Sequence, residues 1–245
     1  MSNFDRNAYS QYGGVARADG KAIDQGLRTY MLGIYNHMVL GLAITAVVAL
    51  GISMLGLSNP FVRAIYLSPL KYVVMLAPLA FVLVLSFRFE RMSYTSLLVT
   101  FWAFAATMGL SMGTIFFIYK IGSIVQVFLI TAASFATLSL YGYTTQRSLS
   151  GMGSFLMMGL FGLIIAGLVN IFMQSSALQF AINVIGVLIF AGLTAWDTQR
   201  LKEEYSYLAG TGEMIQKASV MGALQLYLNF INMFQFLLSL LGNRE

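Results

Sequence analysis

Asp197 is the residue of this chain whose type and position are best suited to chemistry. It ends the apolar run ALQFAINVIGVLIFAGLTAWD, and the 245-residue chain contains only nine acidic residues. A carboxylate at the edge of hydrocarbon is energetically costly unless it is paired, hydrated or protonated. The sequence therefore makes Asp197 a candidate for ion or proton binding.

A purely structural interpretation of Asp197 is also open. Arg200 lies three residues later, and a helical Asp–Arg pair at that spacing contributes only about 0.2–0.5 kcal/mol. An acid near a helix C-terminus also meets the unfavourable end of the helix dipole. That penalty fades if the helix continues through QRLKEEYSYL, which would place Asp197 in the middle of it.

A second polar feature occurs in the last apolar segment of the chain. Gln225, Asn229 and Asn232 are spaced i, i+4 and i+7, so they share one face of a helix. Such a stripe must face protein or water rather than lipid. It is consistent with an ion pathway, and equally with amides that hold helices together at roughly 1 kcal/mol each.

The composition assigns these residues to a polytopic integral membrane protein. Apolar residues make up 58% of the chain and charged residues 9%, against roughly 25% charged in an ordinary soluble domain. With no cysteine and the single histidine His37, the sequence offers neither a thiolate nor a histidine-cluster metal site.

Enzymatic activity is not expected. The chain has no HExxH and no paired intramembrane aspartates, and it has no phosphate-binding loop or nucleic-acid surface. We expect no cofactor, no nucleic-acid partner and no firm metal site, with Asp197 as the only anticipated calcium contact.

Seven segments are long and apolar enough to cross a hydrocarbon core, which needs about 20 helical residues. They are residues 31–56, 70–88, 96–119, 121–141, 153–173, 177–197 and 218–241. Short connections force neighbouring segments to be antiparallel. The sequence thus predicts an all-α, seven-helix transmembrane domain over residues 30–245, preceded by a disordered cytosolic tail over residues 1–29.

Small residues at a spacing of four predict sites of close helix packing. Gly109 and Gly113 form one such pair in the third segment, and Gly162 and Ala166 form another in the fifth. Small side chains at this spacing let helix backbones approach closely in lipid. The pattern indicates packing and carries no information on function.

The distribution of lysine and arginine predicts the orientation in the membrane. Ten of them lie in the N-terminal tail and the second, fourth and sixth connections, against four on the opposite side. The positive-inside rule then places the N-terminus in the cytoplasm and Asp197 at the cytoplasmic mouth of the sixth segment. The C-terminus lies outside if the last segment spans, and inside if that segment is re-entrant.

Several stretches together resemble the bacterial branch of the transmembrane Bax-inhibitor-motif family. They are GLTAWDTQRLKEEY, then ALQLYLNFINMFQFLLSLLG about thirty residues later, the connection LYGYTTQRSLSGMGSFLMMGLFGLIIAGLVNIF, and the opening GLRTYMLGIYNHMVLGLAITAVVALGI. The resemblance covers the chain from about residue 26 to its end. It implies an inner-membrane protein in which two layers of three helices enclose a central seventh helix.

The resemblance also implies a pH-sensitive calcium leak through the bundle. In such proteins an aspartate on the sixth helix shares a proton with an acid on the seventh, since like charges in contact cannot both ionise cheaply. Asp197 matches the first position and Asn229 the second. Arg88 and Arg91 lie near the basic latch that steadies the closed state, and Arg200 is a further candidate latch.

Asn229 in place of an acid removes the carboxylate pair. Its amide can donate a hydrogen bond to ionised Asp197, so we expect a leak that is less steeply pH-dependent near neutral pH. The loss of one anionic ligand should also weaken the binding of calcium, a hard cation that requires several oxygens.

Two other functions remain open. The chain could modulate a membrane-anchored protease or a stress response through protein contacts, with Asp197 as a packing residue. A proton-coupled transporter is the third alternative, although one buried acid without a relay partner gives it little support.

Overall fold

The chain folds into a helical bundle in the computed structural model, which describes the backbone of residues 4–244 and the side chains of residues 25–244. The helices are α1 (Phe4–Leu55), α2 (Pro60–Tyr66), α3 (Leu70–Arg88), α4 (Tyr94–Met112), α5 (Ile121–Thr144), α6 (Ser150–Met173), α7 (Ser176–Leu208) and α8 (Glu213–Leu241). Among the described residues the only β-type pairing is an isolated bridge between Tyr119 and Arg244.

Seven of these helices are long and apolar enough to cross a membrane, which confirms the predicted all-α polytopic fold. The spanning segments are Gln25–Leu55, Leu70–Arg91, Tyr94–Phe117, Ile121–Thr144, Ser150–Met173, Ser176–Leu208 and Glu213–Leu241. The remaining helix, α2, is short and precedes the second span. The side chain of Asn59 caps it by accepting a hydrogen bond from the backbone nitrogen of Phe61.

The first helix begins earlier than the sequence suggests. α1 starts at Phe4, and its backbone is continuous with the first span; the division of the chain into a tail over residues 1–29 and a transmembrane domain stays a prediction. The stretch contains no proline, so nothing interrupts its ladder of backbone hydrogen bonds. The cytosolic position of this part stays a prediction.

The last helix lies at the centre of the bundle, as predicted for the seventh span. α8 packs against α7, α1, α5 and α4. Half of its most apolar stretch is buried inside the protein (50%), the largest share among the seven spans. The second and fifth spans, which contain α3 and α6, are the least buried, at 11% and 17%. They are therefore the peripheral walls of the bundle.

Close helix packing occurs at one of the two predicted small-residue pairs. A Cβ added to Gly109 would lie 2.6 Å from the backbone oxygen of Thr45 on α1, and Gly113 similarly approaches the Ile52 side chain. This confirms the first pair. The prediction for Gly162 is wrong: a Cβ there meets nothing within 4 Å, because α6 packs on α7 through a different face that includes Gly153.

Candidate functional site

Asp197 lies in the middle of α7, because that helix continues for eleven residues beyond it, to Leu208. The unfavourable end of the helix dipole is therefore not at Asp197, since the dipole effect is confined to the last turn. The residue is almost fully buried, at 2% exposure. The acid belongs to the interior of the bundle and not to its surface.

The central helix presents an amide to this acid. Asn229 Nδ2 on α8 donates a hydrogen bond of 2.7 Å to Asp197 Oδ2, and Asn229 is itself only 4% exposed. The structure thus brings together the two positions singled out in the sequence. This hydrogen bond ties α7 directly to α8, and it is stronger than a neutral one when Asp197 is ionised.

Arg200 approaches the other carboxylate oxygen. Its Nη2 lies 3.3 Å from Asp197 Oδ1, which is ion-pair contact, although Oδ1 accepts no hydrogen bond from any described residue. The guanidinium also donates a hydrogen bond to Gln225 Oε1 on α8 and stacks over the Trp196 ring at 5.0 Å. Ionised Asp197 is therefore locally neutralised, with one oxygen still available as an acceptor.

The polar stripe of α8 lines one large cavity. The cavity has a volume of about 1090 Å³, lies between α3, α4, α6, α7 and α8, and includes Asp197 in its wall. Gln225, Asn229 and Asn232 all line it, and so does Gln235, three residues further on. The spacing in the sequence correctly placed the first three residues on a common wall.

A second cavity lies on the Arg200 side of the acid. It has a volume of about 770 Å³ and is lined by Arg200, Glu203 and Glu204 of α7. Val82, Gln225 and Leu228 line both cavities. The contact that joins Asp197, Arg200 and Gln225 therefore lies between two adjoining cavities.

Arg88 and Arg91 lie away from this contact. Arg88 ends α3 and Arg91 lies in the following 3-10 turn, and both are exposed. Neither lines the two cavities, and the ion pairs found in the described part of the chain do not include them. Of the three candidate latches, only Arg200 contacts Asp197.

Two buried polar contacts near the site are not apparent from the sequence. Gln199 accepts a hydrogen bond from Leu149 N at 2.7 Å and donates one to Arg147 O at 2.9 Å, which fixes the connection between α5 and α6. The hydroxyl groups of Thr45 on α1 and Tyr227 on α8 lie 2.6 Å apart. Gln235 was also missed, although its spacing continues the amide stripe.

The site does not contain a cage of metal ligands in the part of the chain that the structure describes. Within the described residues no group of three or more histidine, cysteine, aspartate or glutamate side chains could hold a metal ion. What the cavity wall offers is one carboxylate with side-chain amide oxygens, which are hard ligands of the kind that calcium takes in larger number.

Comparison with known proteins gives consistent matches along the chain. The family described as "Inhibitor of apoptosis-promoting Bax1" matches residues 27–245. A protein of Rickettsia prowazekii (strain Madrid E) is 44% identical over 225 residues, covering 92% of this chain and 94% of the relative. A protein of Caulobacter vibrioides is 43% identical over 256 residues and covers 100% of both chains. Inner membrane protein YbhL of Escherichia coli K12 is 41% identical over 223 residues, covering 90% and 94%.

Proposed function

The chain belongs to the Bax inhibitor family and is a multi-pass inner-membrane protein, and from that premise we propose that it forms a pH-sensitive cation leak. Calcium is the proposed permeant ion, and Asp197 is the proposed key ionisable group. The supporting observation is the position of Asp197, which is buried at mid-helix, bonded to Asn229 and part of the wall of a large amide-lined cavity.

The chemistry of the cavity wall suits the conduction of a cation better than its tight binding. Conduction requires a site that attracts the ion but also releases it. One carboxylate and a row of neutral amides meet that condition better than a cage of several acids, which would retain calcium. The free acceptor capacity of Asp197 Oδ1 gives the ion an oxygen to contact.

Arg200 is the proposed latch of the closed state. Its guanidinium pairs with Asp197 and bonds to Gln225, between the two cavities. In that position it cancels the charge that would attract a cation and occupies the point where the cavities meet. The side chain of Arg200 is 41% exposed, so it is not fully enclosed by protein and can move away from Asp197 without unpacking the core. Opening then corresponds to displacement of Arg200.

The orientation proposed for the leak follows the distribution of basic residues. We place the N-terminus and the cavity beside Glu203 and Glu204 on the cytoplasmic side. Because Asn229 replaces an acid, the proposed leak responds to pH less steeply near neutrality than a pair of carboxylates would.

Calcium flux into proteoliposomes tests the proposal, with the wild type compared with Asp197→Asn and Asn229→Asp across a pH series. We expect Asp197→Asn to abolish pH-dependent flux, and Asn229→Asp to make the pH dependence steeper because it creates a carboxylate pair. Asn232→Asp is the matched control, since it adds the same acid to the same cavity wall. Asn232 Nδ2 bonds to Leu228 O and not to Asp197, so the added acid titrates without forming a carboxylate pair and should steepen the pH dependence less than Asn229→Asp does.

An unchanged pH profile in both Asp197→Asn and Asn229→Asp would refute the leak proposal. If flux is normal in these variants while regulation of a membrane protease or of a stress response is lost, the chain acts instead as a modulator through protein contacts.

A further inference from the structure

The large cavity is open on one side of the bundle, between α3 and α6. α3 packs against α4, and α6 packs against α7, so these two peripheral helices leave a gap between them. Met75 and Leu79 of α3 and Ile164 of α6 line the cavity, yet they are 62%, 57% and 52% exposed. The opening therefore runs along two membrane-spanning helices, at the depth where hydrocarbon surrounds the protein.

The two ends of the cavity differ in chemistry. Lys71, Tyr66 and Tyr119 line one end, and the Arg244 guanidinium lies 5.8 Å from the centre of the Tyr119 ring. One cation, Lys71, therefore lines that end with two phenol groups, and its ammonium lies 5.0 Å from the centre of the neighbouring Tyr72 ring. A second cation, Arg244, lies against Tyr119 and does not line the cavity. The opposite end holds Asp197 and Asn229. The walls between the ends are mainly apolar, with the amides of Asn232 and Gln235 along the α8 side. A ligand that fits this gradient has an anionic head and a long apolar tail.

We propose that this cavity binds a bilayer phospholipid, with its phosphate beside Lys71 and Arg244 and one acyl chain between α3 and α6. The volume of about 1090 Å³ slightly exceeds that of ordinary ligand sites, which measure roughly 300–1,000 Å³, and suits a larger ligand. Lysine and arginine at the end of a span favour phosphate contacts at the headgroup level. The surrounding membrane supplies this ligand wherever the opening faces hydrocarbon.

The position of the acyl chain has a consequence for the buried acid. A chain that enters beside Lys71 and follows the cavity ends near the hydrogen bond between Asp197 and Asn229. It would keep water away from that pair and strengthen the bond, since electrostatic contacts are stronger in a dry environment. An acyl chain in this position also blocks the cavity to ions, so the proposed leak requires that it be displaced, whereas the lipid site does not require that the protein conduct ions.

The absence of cysteine from the sequence makes a fluorescence test direct. Leu160→Cys, which lies in the cavity wall, is labelled with bimane and reconstituted in phospholipid whose acyl chains carry bromine, a contact quencher. Met158→Cys is the reference for bulk lipid, since Met158 is 71% exposed on the same helix and does not line the cavity. We expect similar quenching by brominated chains at both positions and no quenching by aqueous iodide at residue 160.

Filling the opening should displace the acyl chain. Gly167 lines the cavity and has open space around it, so Gly167→Leu should lower the quenching at residue 160 roughly twofold by occupying the volume of the chain. Gly162→Leu is the matched control, because Gly162 has equal space on the same helix but does not line the cavity. Leu79→Phe narrows the same opening from α3 and replaces Gly167→Leu if that variant does not fold.

The headgroup contact has its own measurement. The amount of phosphorus that the purified protein retains should fall by about one atom per protein molecule in Lys71→Gln, as expected for one phosphate contact. It should stay constant in Lys120→Gln, because the Lys120 side chain does not line the cavity. Iodide quenching without bromine quenching at residue 160 would show a water-filled cavity. That result, or bromine quenching unaffected by filling the opening, overturns the acyl-chain site. Unchanged phosphorus in Lys71→Gln overturns the phosphate contact.

Discussion

The hydrogen bond between Asp197 and Asn229 should give a measurable coupling energy between α7 and α8. The perturbation is a double-mutant cycle of Asp197→Ala and Asn229→Ala, singly and together. Each change also removes packing, but those separate costs cancel in the cycle, which isolates the interaction of the two side chains. Arg200 is present in all four proteins, and its contact with Asp197 is lost in both variants that lack the acid, so that contact also cancels in the cycle.

The magnitude follows from the geometry of the bond. Neutral hydrogen bonds between transmembrane helices average about 0.6 kcal/mol in such cycles, with a maximum near 1.7 kcal/mol. The bond at 2.7 Å is buried and has a carboxylate acceptor, and charge-assisted bonds are roughly twice as strong as neutral ones. We therefore expect a coupling energy of about 1.2–1.7 kcal/mol at neutral pH.

The measurement is the free energy of unfolding in mixed micelles, followed by far-ultraviolet circular dichroism. A matched cycle of Thr45→Val and Tyr227→Phe reports a buried neutral bond of 2.6 Å between α1 and α8, for which we expect about 0.6 kcal/mol. Lowering the pH from about 8 to about 2, well below the ordinary carboxylate pKa of about 3.9, should reduce only the Asp197–Asn229 coupling, because protonation removes the charge that the amide binds. A coupling below about 0.4 kcal/mol, within the error of additivity, or one that is independent of pH, would refute an ionised, amide-bound Asp197.

Three further predictions concern stability, measured by the same unfolding assay. Gly142→Ala should cost about 1–3 kcal/mol because its Cβ would meet the Ala195 backbone, whereas Gly162→Ala in open space should cost nothing. Gln199→Leu should cost about 1–3 kcal/mol by leaving two backbone groups unpaired. The same variant should speed proteolysis of the connection at residues 145–149. An unchanged cleavage rate would contradict the proposal that Gln199 holds this connection. Burial raises the pKa of the Tyr66 phenol in α2. The contribution of the neutral phenol to stability is therefore complete below about pH 10 and is lost as the pH rises through the folded pKa. Tyr66→Phe should reduce this alkaline loss of stability, and an alkaline profile identical to that of the wild type would contradict the prediction.

The fold could largely be predicted because membrane spans are defined by length and composition, which the sequence shows directly. The end of α7 could not be read in that way. Hydropathy falls at Asp197 because charged residues follow, but QRLKEEYSYL contains no proline or glycine, and the helix continues to Leu208. A fall in hydropathy marks a change of environment, whereas the end of a helix depends on backbone hydrogen bonding.

The site could be predicted in part for a similar reason. Residues on one helix have fixed angular positions, so the amide stripe and the approach of Arg200 to Asp197 follow from spacing. The face that Gly162 presents to its neighbours, and the direction of Arg88 and Arg91 beyond α3, depend on how separate helices pack. Spacing within one segment does not contain that information.

The length of α7 couples Asp197 mechanically to the C-terminal end of the helix, eleven residues away. At 1.5 Å per residue, the 33-residue helix is about 50 Å long, well beyond a hydrocarbon core of about 30 Å. Leu208 lies about 16 Å along the axis from Asp197, with no break in the helix between them. A force that tilts or twists the charged end of α7 is therefore transmitted as torque to the carboxylate, without any intervening hinge.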